Sequence, residues 1–295
     1  MVAGPDSAGS GGMASSGGAM RAVHVTGAEG ALGGAVVRSL EGRARVLPVT
    51  RAAWPMPKAD WFDPAHPEAA IVHAAGRSGA MEDGEVDAEV ARHLDLFAAL
   101  GARGWRGRLV LLSSASVYGE AAIPTPETAP VAPVNAYGRM KLAVERGLAG
   151  MVADCVVLRL SNVYGSPLDL ARRRVAALLL DAARTGQPFT TFGPGTSLRD
   201  YLHVDDLCRA VGRALDGPPG VWNIASGEGV SLDMLMAQAE AVTGRRLERR
   251  TGPERPEAKS SVLDISRAFR DLGWAPGVTL DQGLRRLLAI LEAAA

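Results

Sequence analysis

At 295 residues, 47% of them hydrophobic, the chain is long enough for one large domain or two intimate lobes around a packed core. Its 32 Lys and Arg balance its 32 Asp and Glu, so no net field recruits nucleic acid or an anionic membrane, and an anionic ligand has to be held by local donors. The only cysteines, Cys155 and Cys208, sit far apart in apolar segments and the five histidines show no ligand spacing, which argues against a disulfide framework and against a metal site.

Residues 1–19, "MVAGPDSAGSGGMASSGGA", are predicted to be a disordered Gly/Ser-rich tail; they lack the basic start and continuous apolar core of a secretory signal. No later run reaches membrane-spanning length, so the chain is expected to be cytoplasmic. From Met20 onward, short apolar runs alternate with amphipathic helical stretches. "RAVHVTG" reads as a strand, "ALGGAVVRSLEG" as a helix, "ARVLPVT" as a strand and "AAIVHAAG" as another. "EVDAEVARHLDLFAAL" is helical, "GRLVLLSS" a strand, "NAYGRMKLAVERGLA" helical and "CVVLRLSN" a strand. This rhythm predicts an α/β fold with a doubly wound parallel sheet of Rossmann type over residues 20–165. Beyond Tyr164 the loops lengthen and helix-like pieces such as "LDMLMAQAEAVTG" and "LDQGLRRLLAILEAA" dominate. Residues 166–295 are therefore expected to form mainly a smaller, mostly helical substrate lobe, with segments near 204–226 returning to the first domain.

The first strand runs into "TGAEGALGG", where Gly27, Gly30 and Gly33 recur every three residues as strand turns to helix. Glycines there let the backbone approach a pyrophosphate, and the following helix offers free N–H groups and its positive end. The plainer alternative is a tight turn under a closely packed helix. In this fold class an acid at the end of the second strand holds the ribose diol of NAD, whereas a base accepts the extra phosphate of NADP. Here the strand ends in Thr50 and Arg51, and no Asp or Glu occurs from Gly42 to Ala59. NADPH is thus the expected cofactor, with NAD the alternative.

"NAYGRMKLAVE" sets Tyr137 and Lys141 four places apart, on one face of a helix. Alone, that spacing equally suits a half-buried Tyr beside a solvated Lys. "LLSSASVYG", residues 111–119, supplies Ser113 and Ser114 at the end of a parallel strand, where such sheets face their ligands. At this point the sequence resembles the extended short-chain dehydrogenase/reductase family, the group of nucleotide-sugar epimerases, dehydratases and ketoreductases. The resemblance runs from about Met20 to the C-terminal helix through "TGAEGALGG", "IVHAAG", "SSASVYG", the Tyr137–Lys141 pair, "LRLSNVYG", "RDYLHVDD", "WNIASGEGVSL" and "DISRAFRDLGWAPGVTLDQGL".

The resemblance implies that Ser114, four places before the Tyr of its VYG segment, hydrogen-bonds the reacting oxygen. It implies that Tyr137 exchanges a proton with substrate and that Lys141 activates Tyr137 and reaches the cofactor ribose. An ammonium near a phenol stabilises charge on the phenol oxygen, which suits general acid–base work. It further implies that Asn162 and Arg199 meet the diphosphate of a nucleotide-linked sugar. Arg255 stands where relatives carry an Arg–Pro–Gly–Asp stretch, but Glu257 and Ala258 depart from that pattern. Each of these arginines has a surface ion pair as its ordinary alternative. His73 reads as a satisfied core histidine, and Tyr118 and Tyr164 as residues that shape the pocket. A homodimer through a helix bundle is also implied.

Relatives that eliminate water carry acids just after the catalytic hydroxyl residue, because a second carbon needs its own acid–base group. Ala115 and Ser116 occupy those positions. The expected reaction is NADPH-dependent reduction of a keto group on a nucleotide-linked deoxysugar. The alternatives are an epimerase that retains NAD, and a non-catalytic NADP-binding sensor or scaffold, against which the complete Ser114, Tyr137 and Lys141 set argues.

Overall fold

A computed structural model describes residues 20–50, 59–77, 81–253 and 260–294. The apolar runs become strands β1 (Ala22–Thr26), β2 (Arg45–Val49), β3 (Ala70–His73), β4 (Leu109–Ser114) and β5 (Cys155–Leu160). Helices α1 (Ala31–Leu40), α2 (Val86–Ala102) and α3 (Ala136–Met151) alternate with them. After β5 come β6 (Asn162–Tyr164), α4 (Val175–Thr185), β7 (Phe189–Thr191), β8 (Tyr201–His203), α5 (Val204–Asp216) and β9 (Gly220–Ile224). The chain then forms α6 (Leu232–Thr243), β10 (Arg249–Thr251), α7 (Ser266–Leu272) and α8 (Leu280–Ala293).

Six parallel strands lie in the order β2-β1-β3-β4-β5-β9, so the fold is the doubly wound parallel sheet expected from the sequence. The chain leaves β1 toward one edge and then resumes at β3 on its other side. That reversal opens a crevice beyond the carboxyl ends of β1 and β3. Successive residues of one strand serve opposite faces, both covered by helices, which is why the central strands are mostly apolar. Val110 and Leu112 pack with α1 and α5 on one side; Leu109 and Leu111 pack with α2 and α3 on the other. A third apolar cluster joins α4, α6 and α8 through Leu179, Leu180, Leu235, Leu284 and Leu287, beside the two-stranded pairs β6–β8 and β7–β10.

Two buried polar systems fix the elements that border the crevice. In the first, Glu145 of α3 pairs with Arg159 of β5 at 2.8 Å, both nearly out of solvent, and Ser113 of β4 donates its hydroxyl to the same carboxylate. The Arg159 guanidinium lies 4.8 Å from the centre of the Tyr118 ring, whose hydroxyl donates to Asn223 of β9 at 2.7 Å. In the second, Thr26 Oγ1 meets His73 Nδ1 at 2.8 Å and His73 Nε2 meets His93 Nδ1 at 2.8 Å. The Glu89 carboxylate stands 3.8 Å from His93 and accepts the Arg77 amide at 3.0 Å. His73 is thus a satisfied core residue, as its place on an apolar strand suggested. Burial holds the pKa of His73 well below its ordinary value and also depresses that of His93. His24, under Trp61 and Phe62, is pushed by burial to about 4.

Replacing Arg159 by Met leaves Glu145 buried without its cation, which costs about 3–5 kcal/mol in related cases. Urea unfolding of Arg159→Met checks this, and a loss under about 1 kcal/mol contradicts it. The histidines give a second expectation. Their folded pKa values lie below the ordinary 6.5, that of His24 at about 4, so unfolding takes up protons as pH falls through a window that opens at 6.5. Stability is full above that window and declines within it, by up to about 1.4 kcal/mol per pH unit for each histidine. Urea midpoints measured from neutral pH downward should fall through this window; a flat profile contradicts the assignment of neutral buried histidines.

Candidate active site

β1 ends at Thr26, and Gly27 turns the chain with a φ of +71°, in the left-handed region that favours glycine. A Cβ at Gly27 would lie 2.8 Å from the Ala75 nitrogen, and one at Gly33 would lie 2.1 Å from the Gly27 oxygen. Glycine at both places therefore lets the turn tuck against β3 and lets α1 start directly beneath it. Gly30, whose amide donates to the Gly27 oxygen at 2.8 Å, is the N-cap of α1, and no side chain caps that helix. The first-turn amides are left to whatever enters the crevice, the arrangement that binds a pyrophosphate. The shape and donors fit a dinucleotide, with Gly27, Gly30 and Gly33 forming one wall of a cleft of about 580 Å³. Glu29, Arg77, Glu89 and Arg92 also line it, as do Tyr137 and Lys141 at its far end.

α3 begins where Asn135 accepts the Gly138 amide at 2.8 Å. A Cβ at Gly138 would stand 2.4 Å from the Ser116 oxygen, so this glycine lets the helix start press against the turn after β4. That contact sets Tyr137 beside the Ser114 segment. Lys141, one turn on and almost buried, donates from Nζ to the Leu112 carbonyl at 3.0 Å and lies 5.8 Å from the centre of the Tyr137 ring. Ser114 and Ser116 share hydrogen bonds at 3.2 Å, and both line a second cleft of about 540 Å³. Tyr137 lines both clefts. Ser113 borders both clefts, but its hydroxyl is committed to Glu145, whereas Ser114 lines the second cleft.

Asn162 lines the second cleft while its side-chain amide donates to the Asp200 carbonyl at 3.1 Å. Arg199 lines neither cleft: its backbone exchanges hydrogen bonds with Val230 at 2.9 Å and its guanidinium reaches the Leu198 carbonyl. Arg51 and Arg255 fall outside the described residues. Tyr118 and Tyr164 are both buried, the first under Arg159 and the second in the helical cluster. Two residues outside every motif named above, Arg172 and Arg174, also border the clefts. Arg172 lines the first cleft and Arg174 lines both. Their signal was three consecutive arginines immediately before the apolar helix "VAALLL", where the helix dipole disfavours cations.

Among the described residues, no group of three or more His, Cys, Asp or Glu side chains could hold a metal ion, and no helix is long and apolar enough to cross a membrane. Residues 23–225 match the profile of the NAD dependent epimerase/dehydratase family. The chain is 31% identical over 234 residues to the UDP-glucose 4-epimerase of Corynebacterium glutamicum, covering 70% of each. It is 31% identical over 189 residues to the dTDP-4-dehydro-6-deoxyglucose reductase of Escherichia coli, covering 60% of this chain and 58% of that one, so it spans less than two thirds of this relative. The structure of the UDP-glucose 4-epimerase of Thermotoga maritima with UDP-glucose superposes with a TM-score of 0.79 at 25% identity, over 92% of this chain and 99% of that one. A glycine-lined crevice at the switch point of the sheet, a Tyr–Lys pair at its far end and a match over most of the chain agree: the chain belongs to the NAD-dependent epimerase/dehydratase family of extended short-chain dehydrogenases/reductases.

Proposed function

We propose that the chain reduces a keto group on a nucleotide-linked, deoxygenated hexose with NADPH, Tyr137 donating the proton. The observation that supports this reading is that Tyr137 lines both clefts, with Lys141 beside it in the first and Ser114 in the wall of the second. The nicotinamide of the bound cofactor supplies the hydride. Tyr137 gives its hydroxyl proton to the carbonyl oxygen as negative charge develops there, and Ser114 steadies that oxygen by hydrogen bonding. Lys141, held in place by the Leu112 carbonyl, stabilises the charge left on the phenol oxygen. Gly27, Gly30 and Gly33 hold the cofactor phosphates, and Arg51, with no acid between Gly42 and Ala59, favours the 2′-phosphate of NADP. Asn162 contributes to the substrate cleft.

Ala115 and Ser116 offer no second acid–base group, so elimination of water is disfavoured. The likeness to the Corynebacterium glutamicum enzyme favours a second reading, epimerisation by transient oxidation with retained NAD. It needs the same three side chains and differs in whether reductant is consumed. A sensor that only binds NADP has no use for a proton donor at the hydride site.

Tyr137→Phe should retain cofactor affinity and lose turnover by about a hundred- to ten-thousandfold, the usual worth of a positioned proton donor. Fluorescence titration with NADPH and steady-state rates check both halves; normal turnover excludes Tyr137 as the acid. NADPH should bind at least about tenfold more tightly than NADH, and Arg51→Asp should narrow or invert that ratio. Equal dissociation constants in the unaltered protein contradict the NADP assignment. Offered a nucleotide-linked 4-keto-6-deoxyhexose, the enzyme should consume one NADPH per hydroxyl formed. Interconversion of epimers without net consumption, by protein that purifies with NAD bound, establishes the epimerase instead.

A further inference from the structure

The turn between β6 and α4 carries Arg172, Arg173 and Arg174, and its shape is fixed from within. Asp169, 2% exposed, accepts the amides of Gly165 at 2.7 Å and Ser166 at 3.1 Å, and its own carbonyl accepts the Arg174 amide at 2.9 Å. The Arg172 and Arg173 amides donate to the carbonyls of Leu168 and Leu170. Arg173 has a φ of +53°, a left-handed conformation that a side-chain-bearing residue keeps only when its surroundings impose it. This tight loop sets Arg172 in the wall of the cofactor cleft and Arg174 in the walls of both clefts.

The charges there are not balanced. Arg77 pairs with Glu85, Arg92 pairs with Glu89 and Lys141 donates to the Leu112 carbonyl, so the other cations of the cofactor cleft have partners. Arg172 and Arg174 have neither an ion pair nor a side-chain hydrogen bond among the described residues; Asp169 feels the charge of Arg174 but spends its carboxylate on backbone amides. Arg174 is also the N-cap of α4, a helix with no capping side chain and no acid in its first turn. Positive charge beside the positive end of a helix is unfavourable unless an anion lies between or beside them.

We infer that Arg172 and Arg174 form a clamp for two phosphate-bearing ligands, Arg174 gripping the diphosphate of the nucleotide-linked substrate and Arg172 the phosphates of the dinucleotide. The inference rests on the nucleotide-sugar reading above and names the residues that hold the diphosphate in a structure where Arg199 lines neither cleft. A guanidinium presents paired donors that match phosphate oxygens, which suits Arg better than a point charge. Because Arg174 borders both clefts, it holds the substrate diphosphate next to the bound cofactor, within reach of Tyr137 and Asn162, which line the same second cleft.

Calorimetric titration of UDP, dTDP, GDP and ADP, with NADP present to fill the cofactor cleft, tests this without knowledge of the sugar. The unaltered protein should bind at least one nucleoside diphosphate, and R174Q should weaken that binding at least about tenfold, with R174K intermediate. R172Q should weaken NADPH more than the nucleoside diphosphate, and R173Q, whose side chain lines neither cleft, should change neither beyond about twofold. Thermal unfolding of each variant shows that the loss is local. If the unaltered protein binds a nucleoside diphosphate and R174Q binds it equally well, the clamp is wrong and the nucleotide-sugar reading stands. If the unaltered protein binds none of the four, both fall.

Discussion

The register of α3 against the end of β4 is the constraint on which the site depends. Tyr137, Lys141 and Glu145 recur every four residues and so share one helix face. Two of them are tied to β4 at successive residues: Lys141 donates to the Leu112 carbonyl, and Glu145 accepts the Ser113 hydroxyl. A helix held at two points one turn apart cannot slide or rotate without breaking buried charged contacts, which are among the most costly to lose. Tyr137, one turn before Lys141, is thereby delivered to the Ser114 segment without needing a strong contact of its own. Glu145 and Arg159 extend the same tie to β5, and Tyr118 with Asn223 carries it on to β9. Rigidity at the site thus comes largely from buried side chains, such as Glu145, Arg159 and Asn223, that line neither cleft.

The cofactor side is fixed by a different kind of constraint. Gly27 and Gly33 permit backbone contacts that any Cβ would forbid, so α1 starts with its amides facing the crevice. The chain of Thr26, His73, His93 and Glu89 then braces the same region from below, linking β1, β3 and α2 and holding the Arg77 amide at the rim. The first device depends on absent side chains and the second on buried polar ones, and both converge on one wall of the cleft.

Much of this was legible because it is local. Apolar runs of strand length alternating with amphipathic helices are the mark of a parallel sheet, since parallel neighbours need a crossover between them, but the order of the strands is not written in them. The glycine triplet and the Tyr137–Lys141 spacing are likewise written in contiguous residues. What could not be read is non-local. The resemblance separates Ser114 from Ser113 by counting back from the VYG tyrosine, but that the Ser113 hydroxyl is spent on the Glu145 carboxylate, thirty-two residues on, is not written in that count. His93 and Glu89 look like ordinary polar residues of an amphipathic helix until β3 brings His73 against them. Arg172 and Arg174 belong to no motif; what singles them out is the missing counter-charge and their place in the cleft walls, Arg172 in the first and Arg174 in both. Arg199 differs: the family resemblance assigns it to the diphosphate, while its backbone pairs with Val230 and it is not among the residues that line the two clefts.

The account's central claim is net reduction by hydride delivered next to Tyr137. The direct measurement is a single turnover with NADPH carrying deuterium at both C4 positions of the nicotinamide and a nucleotide-linked 4-keto-6-deoxyhexose, followed by mass spectrometry and proton NMR of the sugar. The account predicts one deuterium at the new carbinol carbon, stoichiometric oxidised cofactor, and loss of this transfer in Tyr137→Phe. A sugar whose configuration changes while the deuterium stays in the cofactor would contradict it.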